Sequence, residues 1–337
     1  MRHQLNRRQI LSGSAALAGT VLLPRFAHAA EFEFKIASDT PASHPCNVRT
    51  LEAVARIKEE TSGRVDIKLF PNNQLGGGPD MLNQLRSGAL DFFMYSTQLV
   101  APLVPGAALP GVGFAFKDTA TALAAMDGDV GAHLRKQIEK AGLITMPKVW
   151  TSGFRQVTSS TGPIRTPADF DNFKIRVPAS PMWVSLFKSF GASPTAINFA
   201  ELYTSLQTKV VNGQENPLVI LDTNRLYEVQ QYCTLTNHMW DGYWVLGNRK
   251  SFARLAPDLQ AIVSKNFDRS ALDQRTDMAN QDASLRQSLT TKGLKFNEID
   301  VAPFRAKLKQ AGYYAEWKEK FGAEAWTLLE KYAGQLS

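Results

Sequence analysis

The sequence predicts a two-lobe α/β protein with a cleft between the lobes. Three observations carry that expectation. Strand-like and helix-like stretches alternate from residue 33 to residue 96, the order of a mostly parallel sheet covered by helices. The alternation restarts near residue 143 and continues to residue 248. Residues 257–291 are polar, charged and nearly free of Gly and Pro, so they read as one long helix that bridges two bodies.

The elements follow in order. "EFKIAS" at 33–38 reads as a strand. A helix over 46–60 places Val48, Leu51, Val54, Ala55 and Ile57 on one face and stops at Gly63. "RVDIKLF" alternates Val65, Ile67 and Leu69 with Asp66 and Lys68, the period of a strand. "PDMLNQLRSG" opens on proline and closes on glycine, as a short helix does, and "ALDFFMYS" is a third strand. In the second half, "LITMPKVW", "GFRQVTSS" and "FKIRV" are strand-like, and "SPMWVSLFKSFG" is a helix closed by Gly191. "FAELYTSLQTKVVNG" reads as a further helix closed by Gly213, with "NGQENP" a loop before the next strand. "QQYCTLTNHMW" and "GYWVLGN" are strands that run between the halves, "LKFNEID" is a late strand, and two amphipathic helices finish the chain. The expected division is lobe I at 31–152 with about 240–280, and lobe II at 153–239 with about 281–337, joined by a hinge.

The first thirty residues read as an export signal: Arg7 and Arg8, a dilute apolar run from Ile10 to Leu23, and the small-residue site "AHAA" with cleavage near Ala29. Beyond it no apolar run is long enough to cross a bilayer, so the mature chain is expected in the periplasm and not inserted in the membrane. Removing the segment takes away four basic residues and leaves 34 basic against 31 acidic, a net +3. That balance, without basic runs interleaved with aromatics, argues against nucleic acid as a partner. Two cysteines, Cys46 and Cys233, are no disulfide framework.

There is no GxSxG, HExxH, Walker loop or GxGxxG after a strand, and the three histidines beyond the signal (His44, His133, His238) lack metal-ligand spacing. No catalytic residue, metal or cofactor is expected. What stands out is an arginine inside an apolar strand. Arg176 lies between Ile175 and Val177, two residues before Pro178, where the carboxyl end of a strand meets a ligand in open α/β sheets. A buried guanidinium without an anion costs several kcal/mol, so it must meet an internal acid or a ligand carboxylate; the residues alone leave both open. Arg155 sits at a second strand boundary. Asn216 offers amide donors and an acceptor, though its bland reading is a turn-former before Pro217. Aromatics crowd the same loops, Phe154, Phe199, Trp240 and Tyr243 among them, as the apolar walls of a small-molecule cleft would.

"TSGRVDIKLFPNNQLG", "GALDFF", "GFRQVTSS", "FKIRVP", "FAELYTSLQTKVVNGQENPL" and "LTNHMWDGYWVLGN", in this order, resemble the solute-binding component of a tripartite ATP-independent periplasmic (TRAP) transporter of the dicarboxylate-binding type. The resemblance covers residues 32–330. It implies a two-lobe periplasmic binding protein fold with interlobe crossover strands, no catalysis, a small organic acid as ligand, and delivery of that acid by a monomer to membrane permease subunits. It makes Arg176 the carboxylate anchor, Arg155 its support, Asn216 a contact to the carboxylate and Phe199 a ring packed on the ligand. It implies that Ser38, His44 and Ser96 face the cleft from lobe I, and that Trp240 and Tyr243 wall its far end. The aromatic content points to a monocarboxylate with an apolar body, such as a 2-oxo or 2-hydroxy acid; a C4-dicarboxylate with Arg155 taking the second charge is the alternative. A periplasmic isomerase or lyase, with His44 or His238 as base, and a sensor feeding a membrane kinase are the rival classes.

Overall fold

The computed structural model describes residues 30–336, so the export segment read in residues 1–29 lies outside them. The first lobe holds β1 (Phe32–Ser38), α1 (Pro45–Glu60), β2 (Val65–Phe70), α2 (Gly78–Ser87), β3 (Phe92–Ser96), α3 (Thr119–Asp127), α4 (Asp129–Lys140) and β4 (Leu143–Thr145). Next, β5 (Trp150–Ser159) crosses into the second lobe, with β6 (Lys174–Val177), α5 (Pro181–Ser189), β7 (Ser193–Ala196), α6 (Leu202–Gln207), β8 (Gly213–Asn216) and α7 (Leu218–Thr223). The return is β9 (Tyr232–Asn248), followed by α8 (Arg249–Phe252), α9 (Pro257–Thr291), β10 (Lys295–Glu298), α10 (Val301–Gln310) and α11 (Tyr313–Ala333).

The strands form one sheet in the order β2-β1-β3-β9-β5-β8-β6-β7, with β4 and β10 also paired to β9. It is mixed rather than mostly parallel. Pairs within each lobe are parallel, as in β1 with β2 and β6 with β7, whereas β9 runs antiparallel to β3, β4 and β5. The two strands expected over 230–248 are one 17-residue strand. It is long enough to serve both lobes: its start pairs with β10 and the end of β5, its end with β3 and β4.

Both crossover strands are irregular between the lobes. The β5–β9 register slips at Thr151/Gly153, and again where the partner of Arg155 is Met239 but that of Val157 is Thr234. Gly153 takes φ +102, which only glycine adopts without strain. Helix α9 spans the crossing as the sequence predicts, touching α1, β5 and α7. Its first half packs on α1 through Arg56, which bonds Asn266 and Ser270, its middle through the Arg49–Asp277 pair, and its last turns pack on α7 through Leu285 and Leu289. At the junction, buried Gln274 donates to the Thr151 carbonyl at 2.8 Å and accepts from the Thr151 amide at 3.0 Å.

Three expectations about elements are corrected. The buried face of α1 is Cys46, Asn47, Thr50, Ala53 and Ile57, while Val48 and Leu51 are 44 % and 49 % exposed. Polar Asn47 and Thr50 can face inward because each bonds a backbone carbonyl, Asn47 to Thr40 and Pro41, Thr50 to Cys46. The helix expected over 199–213 ends at Gln207, and Gly213–Asn216 is a strand between β5 and β6 rather than a loop. Gly213 permits this close approach, since a Cβ there would lie 2.3 Å from the Thr158 carbonyl. Finally, α11 lies against α3 and α4 as well as α5, so it contacts both lobes. Cys46 and Cys233 are free and buried in different core clusters.

Candidate ligand-binding site

A cavity of about 190 Å³ lies between the lobes, at the strand ends beside the crossover. Lobe I contributes Asp39 and Thr40 after β1, Tyr95 and Ser96 of β3, and the α2 residues Pro79, Leu82 and Asn83. Lobe II contributes Arg176, Pro178, Trp183, Phe199 and Asn216, and the crossover strands add Arg155, Asp241 and Tyr243.

Arg176 points away from Ile175 and Val177, which are packed in the core, and lines the cavity at 2 % exposure. Its Nε donates to the Ile197 carbonyl at 2.8 Å, its Nη1 is buried without a partner, and no carboxylate among the described residues pairs with it. Burial pushes the guanidinium down to about 10, against the more distant attraction of Glu215.

Arg155 is the opposite case. Its Nε donates to Glu215 Oε2 at 2.5 Å, Nη1 to Asp241 Oδ2 at 3.0 Å, and Nη2 to Glu215 Oε1 and Asn216 Oδ1, both at 2.9 Å. Burial works against its charge, but the Glu215 carboxylate more than offsets this and raises it. Glu215 in turn is held down to about 2: burial opposes its ionisation, and Arg155 and His238 overcome it. Asp241 is pushed up to about 6 by burial, although Arg155 and the Ser96 hydroxyl, at 2.8 Å, favour its charge. This network ties the second-lobe strand β8 to β3 of the first lobe through the crossover. It also uses both sides of the Asn216 amide, since Nδ2 donates to Gln214 Oε1 at 2.5 Å.

Of the residues singled out in the sequence, Arg176, Arg155, Asn216, Phe199, Ser96 and Tyr243 meet at this cavity. Four do not line it. Trp240 is buried in the core against Phe116, because alternation along β9 sends its side chain to the face opposite Asp241. Phe154 lines a separate hollow formed with α3, α7 and α9. His44 caps α1, its Nδ1 accepting from the Cys46 amide, and burial lowers it to about 3. Ser38 is buried with its hydroxyl 2.8 Å from that of Thr40. His238, the other base proposed for an enzyme, is bonded to Glu215 and Thr236 and does not line the cavity either. Asp39, Tyr95, Trp183 and Asp241 were not expected at the site. "SDT" after a strand reads as a turn, Tyr95 and Trp183 read as strand and helix core, and Asp241 falls in the break between two expected strands. Among the described residues no cluster of His, Cys, Asp or Glu is placed to hold a metal ion, and no helix is long and apolar enough to cross a membrane.

Comparison with known proteins gives a consistent picture. Residues 36–320 match the model of bacterial extracellular solute-binding protein family 7. An uncharacterized protein of Sinorhizobium fredii is 36 % identical over 308 residues, 90 % of this chain; the match spans only 56 % of that longer protein. The 2,3-diketo-L-gulonate-binding periplasmic protein of Escherichia coli is 34 % identical over 249 residues, covering 74 % of this chain and 76 % of that one. Among solved structures, a TRAP periplasmic solute-binding protein from a Sulfitobacter species with bound β-D-galacturonate superposes with a TM-score of 0.85 at 27 % identity, covering 90 % of this chain and all of that one.

Proposed function

The chain belongs to bacterial extracellular solute-binding protein family 7, the binding components of TRAP transporters, and on that premise we propose that it captures a small organic acid in the periplasm by a salt bridge to Arg176. The acid is then handed to membrane permease subunits. The observation that carries this reading is the state of Arg176: sealed from water, with Nη1 unbonded and no internal acid paired to it. A guanidinium fork matches a carboxylate in two bonds, and each strengthens where water is excluded. A cavity of about 190 Å³ falls below the ~300–1,000 Å³ of pockets for drug-sized ligands, which favours a compact acid.

Tyr95, Trp183, Phe199 and Tyr243 supply the apolar walls, so the ligand is a monocarboxylate with a short carbon body. Arg155 supports the site by placing Asn216 and Asp241. Its bonds to Glu215 and Asp241 are the reason a C4-dicarboxylate is the weaker reading, because the cation that would take the second charge is already neutralised. The lobes we propose are 31–152 with about 240–280, and 153–239 with about 281–337, α11 touching both, hinged where β5 and β9 lose register. No enzymatic role is assigned: relatives and structural neighbours are binding proteins.

Thermal melts against a panel of mono- and dicarboxylic acids test the reading. Ligand at 100 times its Kd stabilises by about 2.7 kcal/mol, a shift of several degrees. Arg176→Met is expected to remove the shift for every acid while leaving the free protein at least as stable as wild type. A shift retained in the variant contradicts the salt bridge, and a wild-type response only to succinate, malate or fumarate contradicts the monocarboxylate.

A further inference from the structure

A second hollow, of about 520 Å³, lies behind the crossover strands. It shares no residue with the acid cavity, and β5 divides the two: Arg155 lines the cavity, while its neighbours Phe154 and Gln156 line the hollow. Each lobe supplies a wall. Ala120 and Leu123 come from α3 of the first lobe, Leu218 and Val219 from α7 of the second, and Met278 and Leu285 from the bridging helix α9. Residues 151–154 line it as well, where β5 loses register with β9. The charges around it are already matched: Arg275 is 2.8 Å from Asp127, and Lys117 is 4.0 Å from Asp118. The Ser152 hydroxyl bonds that of Tyr243, and the Gln156 amide bonds Asn237. Thr151 is the exception. It is 2 % exposed, and its Oγ1 is buried without a partner although Gln274 satisfies both of its backbone groups. An unmet buried hydroxyl carries a desolvation cost that one hydrogen-bonding group on a ligand removes.

The position of the hollow ties it to the movement of the lobes. Arg176 and Asp39 face the acid cavity from opposite lobes at 2 % and 6 % exposure, so the lobes are closed in this structure. Bodies that turn about strands lying between two hollows open one as they shut the other. Opening the cleft therefore brings α3 toward α7 and narrows the hollow between them. We propose that this hollow is an effector site: an uncharged, largely apolar molecule with one hydroxyl, seated among Leu123, Phe154, Val219 and Met278 and bonded to Thr151 Oγ1, holds the lobes closed and tightens the grip on the acid. The volume falls within the ~300–1,000 Å³ of small-molecule pockets. A charged occupant would lose its water with no free counter-charge to meet it. Linkage makes the effect mutual, the acid tightening the effector by the same factor. The inference goes beyond the acid site and holds whichever group anchors the carboxylate.

The test combines soluble probes with a built-in wedge. Benzyl alcohol and 2-naphthylmethanol stand for the effector, benzylamine for a charged molecule of similar shape, and the acid is the one that gives the largest thermal shift. In titration calorimetry of the full mature chain, a saturating alcohol is expected to lower the Kd for the acid by at least about 5-fold, and benzylamine to leave it unchanged. Ala120→Trp places an indole in the hollow from an exposed position. It is expected to tighten the acid by about 5-fold or more on its own and to abolish the response to the alcohols. Ala279→Trp does the same from α9 and serves if the first variant folds poorly. Thr151→Val is expected to keep the affinity for the acid and weaken the effect of the alcohols. Small-angle scattering reads the same equilibrium without acid: the radius of gyration of either tryptophan variant, or of wild type with an alcohol, is expected to fall toward that of acid-loaded wild type. An unchanged Kd and radius in both tryptophan variants, no response of wild type to the alcohols, a response that survives in Ala120→Trp, or equal action by benzylamine each overturns the inference and leaves the Arg176 reading standing. Acid binding by Arg176→Met equal to that of wild type overturns that reading and leaves this one, and if no acid binds, the scattering of free protein with and without alcohol decides.

Discussion

A guanidinium and a carboxylate, Arg176 and Asp39, each buried and each short of a partner, face one cavity in this protein. Both are poor for the stability of the empty protein, and a ligand carboxylate relieves the first. The electrostatic consequence is measurable at Asp39. Burial raises its carboxyl to about 7 from the 3.8 of an unfolded chain. Between those values the folded protein keeps a proton that the unfolded chain has released, so the stability Asp39 contributes is complete below about pH 4 and is lost as pH rises through 7. Ligand-free wild type should therefore lose stability relative to Asp39→Asn by on the order of a few kcal/mol between pH 4 and 8. Chemical denaturation of both proteins across that range checks it, and parallel curves would show that the carboxyl is not buried as described. Asp241, also raised, is common to both proteins and cancels. Arg176 was legible in the sequence because a cation between two core aliphatics is anomalous. Asp39 was not, because an aspartate closing a strand is what any turn provides; only the fold shows that this turn opens into a cavity and that its hydroxyl neighbours are committed to each other.

At the level of elements, the hinge is the part that local patterns describe least well. The sequence reading placed strands at 153–160 and, as two pieces, at 230–248, but their continuity, antiparallel crossing and two register slips depend on contacts far apart in sequence. The same limit explains α1. Periodicity selected Val48 and Leu51 as its core face, whereas packing against the sheet and α9 buries a polar stripe whose hydrogen bonds no periodicity records. It explains β8 too, where "GQEN" has no strand pattern and is held as a strand by neighbours on both sides. The 35-residue helix α9, by contrast, was visible from composition alone. Its role at the hinge rests on Gln274, whose amide closes both backbone groups of Thr151. Replacing it by alanine leaves a buried donor and acceptor unmet, at about 1–3 kcal/mol each. Gln274→Ala should lower the midpoint of denaturant unfolding accordingly, while Gln274→Glu, which buries a carboxylate against the Thr151 carbonyl, should lower it further. An unchanged midpoint in the alanine variant would mean that water replaces the side chain and that α9 does not clamp the crossing.

For the molecule as a whole, two lobes joined by paired crossover strands and one bridging helix make closure a rotation of rigid bodies about a short irregular segment. The cavity takes Pro79, Leu82 and Asn83 from one lobe and Pro178, Trp183 and Phe199 from the other, so closing them excludes water and strengthens every polar contact inside. The Arg155–Glu215–Asp241 network spans the same junction and fixes the spacing of the lobes around the ligand. The order of strands and helices carried the two-lobe architecture in sequence. The identity of the cleft-facing groups depended on which way each strand end points, and that is decided by the assembled sheet. The most direct test of the account is the crystal structure of the protein with the acid that stabilises it most in the thermal screen. The account predicts both carboxylate oxygens within hydrogen-bond distance of the Arg176 guanidinium, with Arg155 still paired to Glu215. A ligand whose carboxylate is held by other groups, or an Arg176 that turns to an acidic side chain of its own chain, would contradict it.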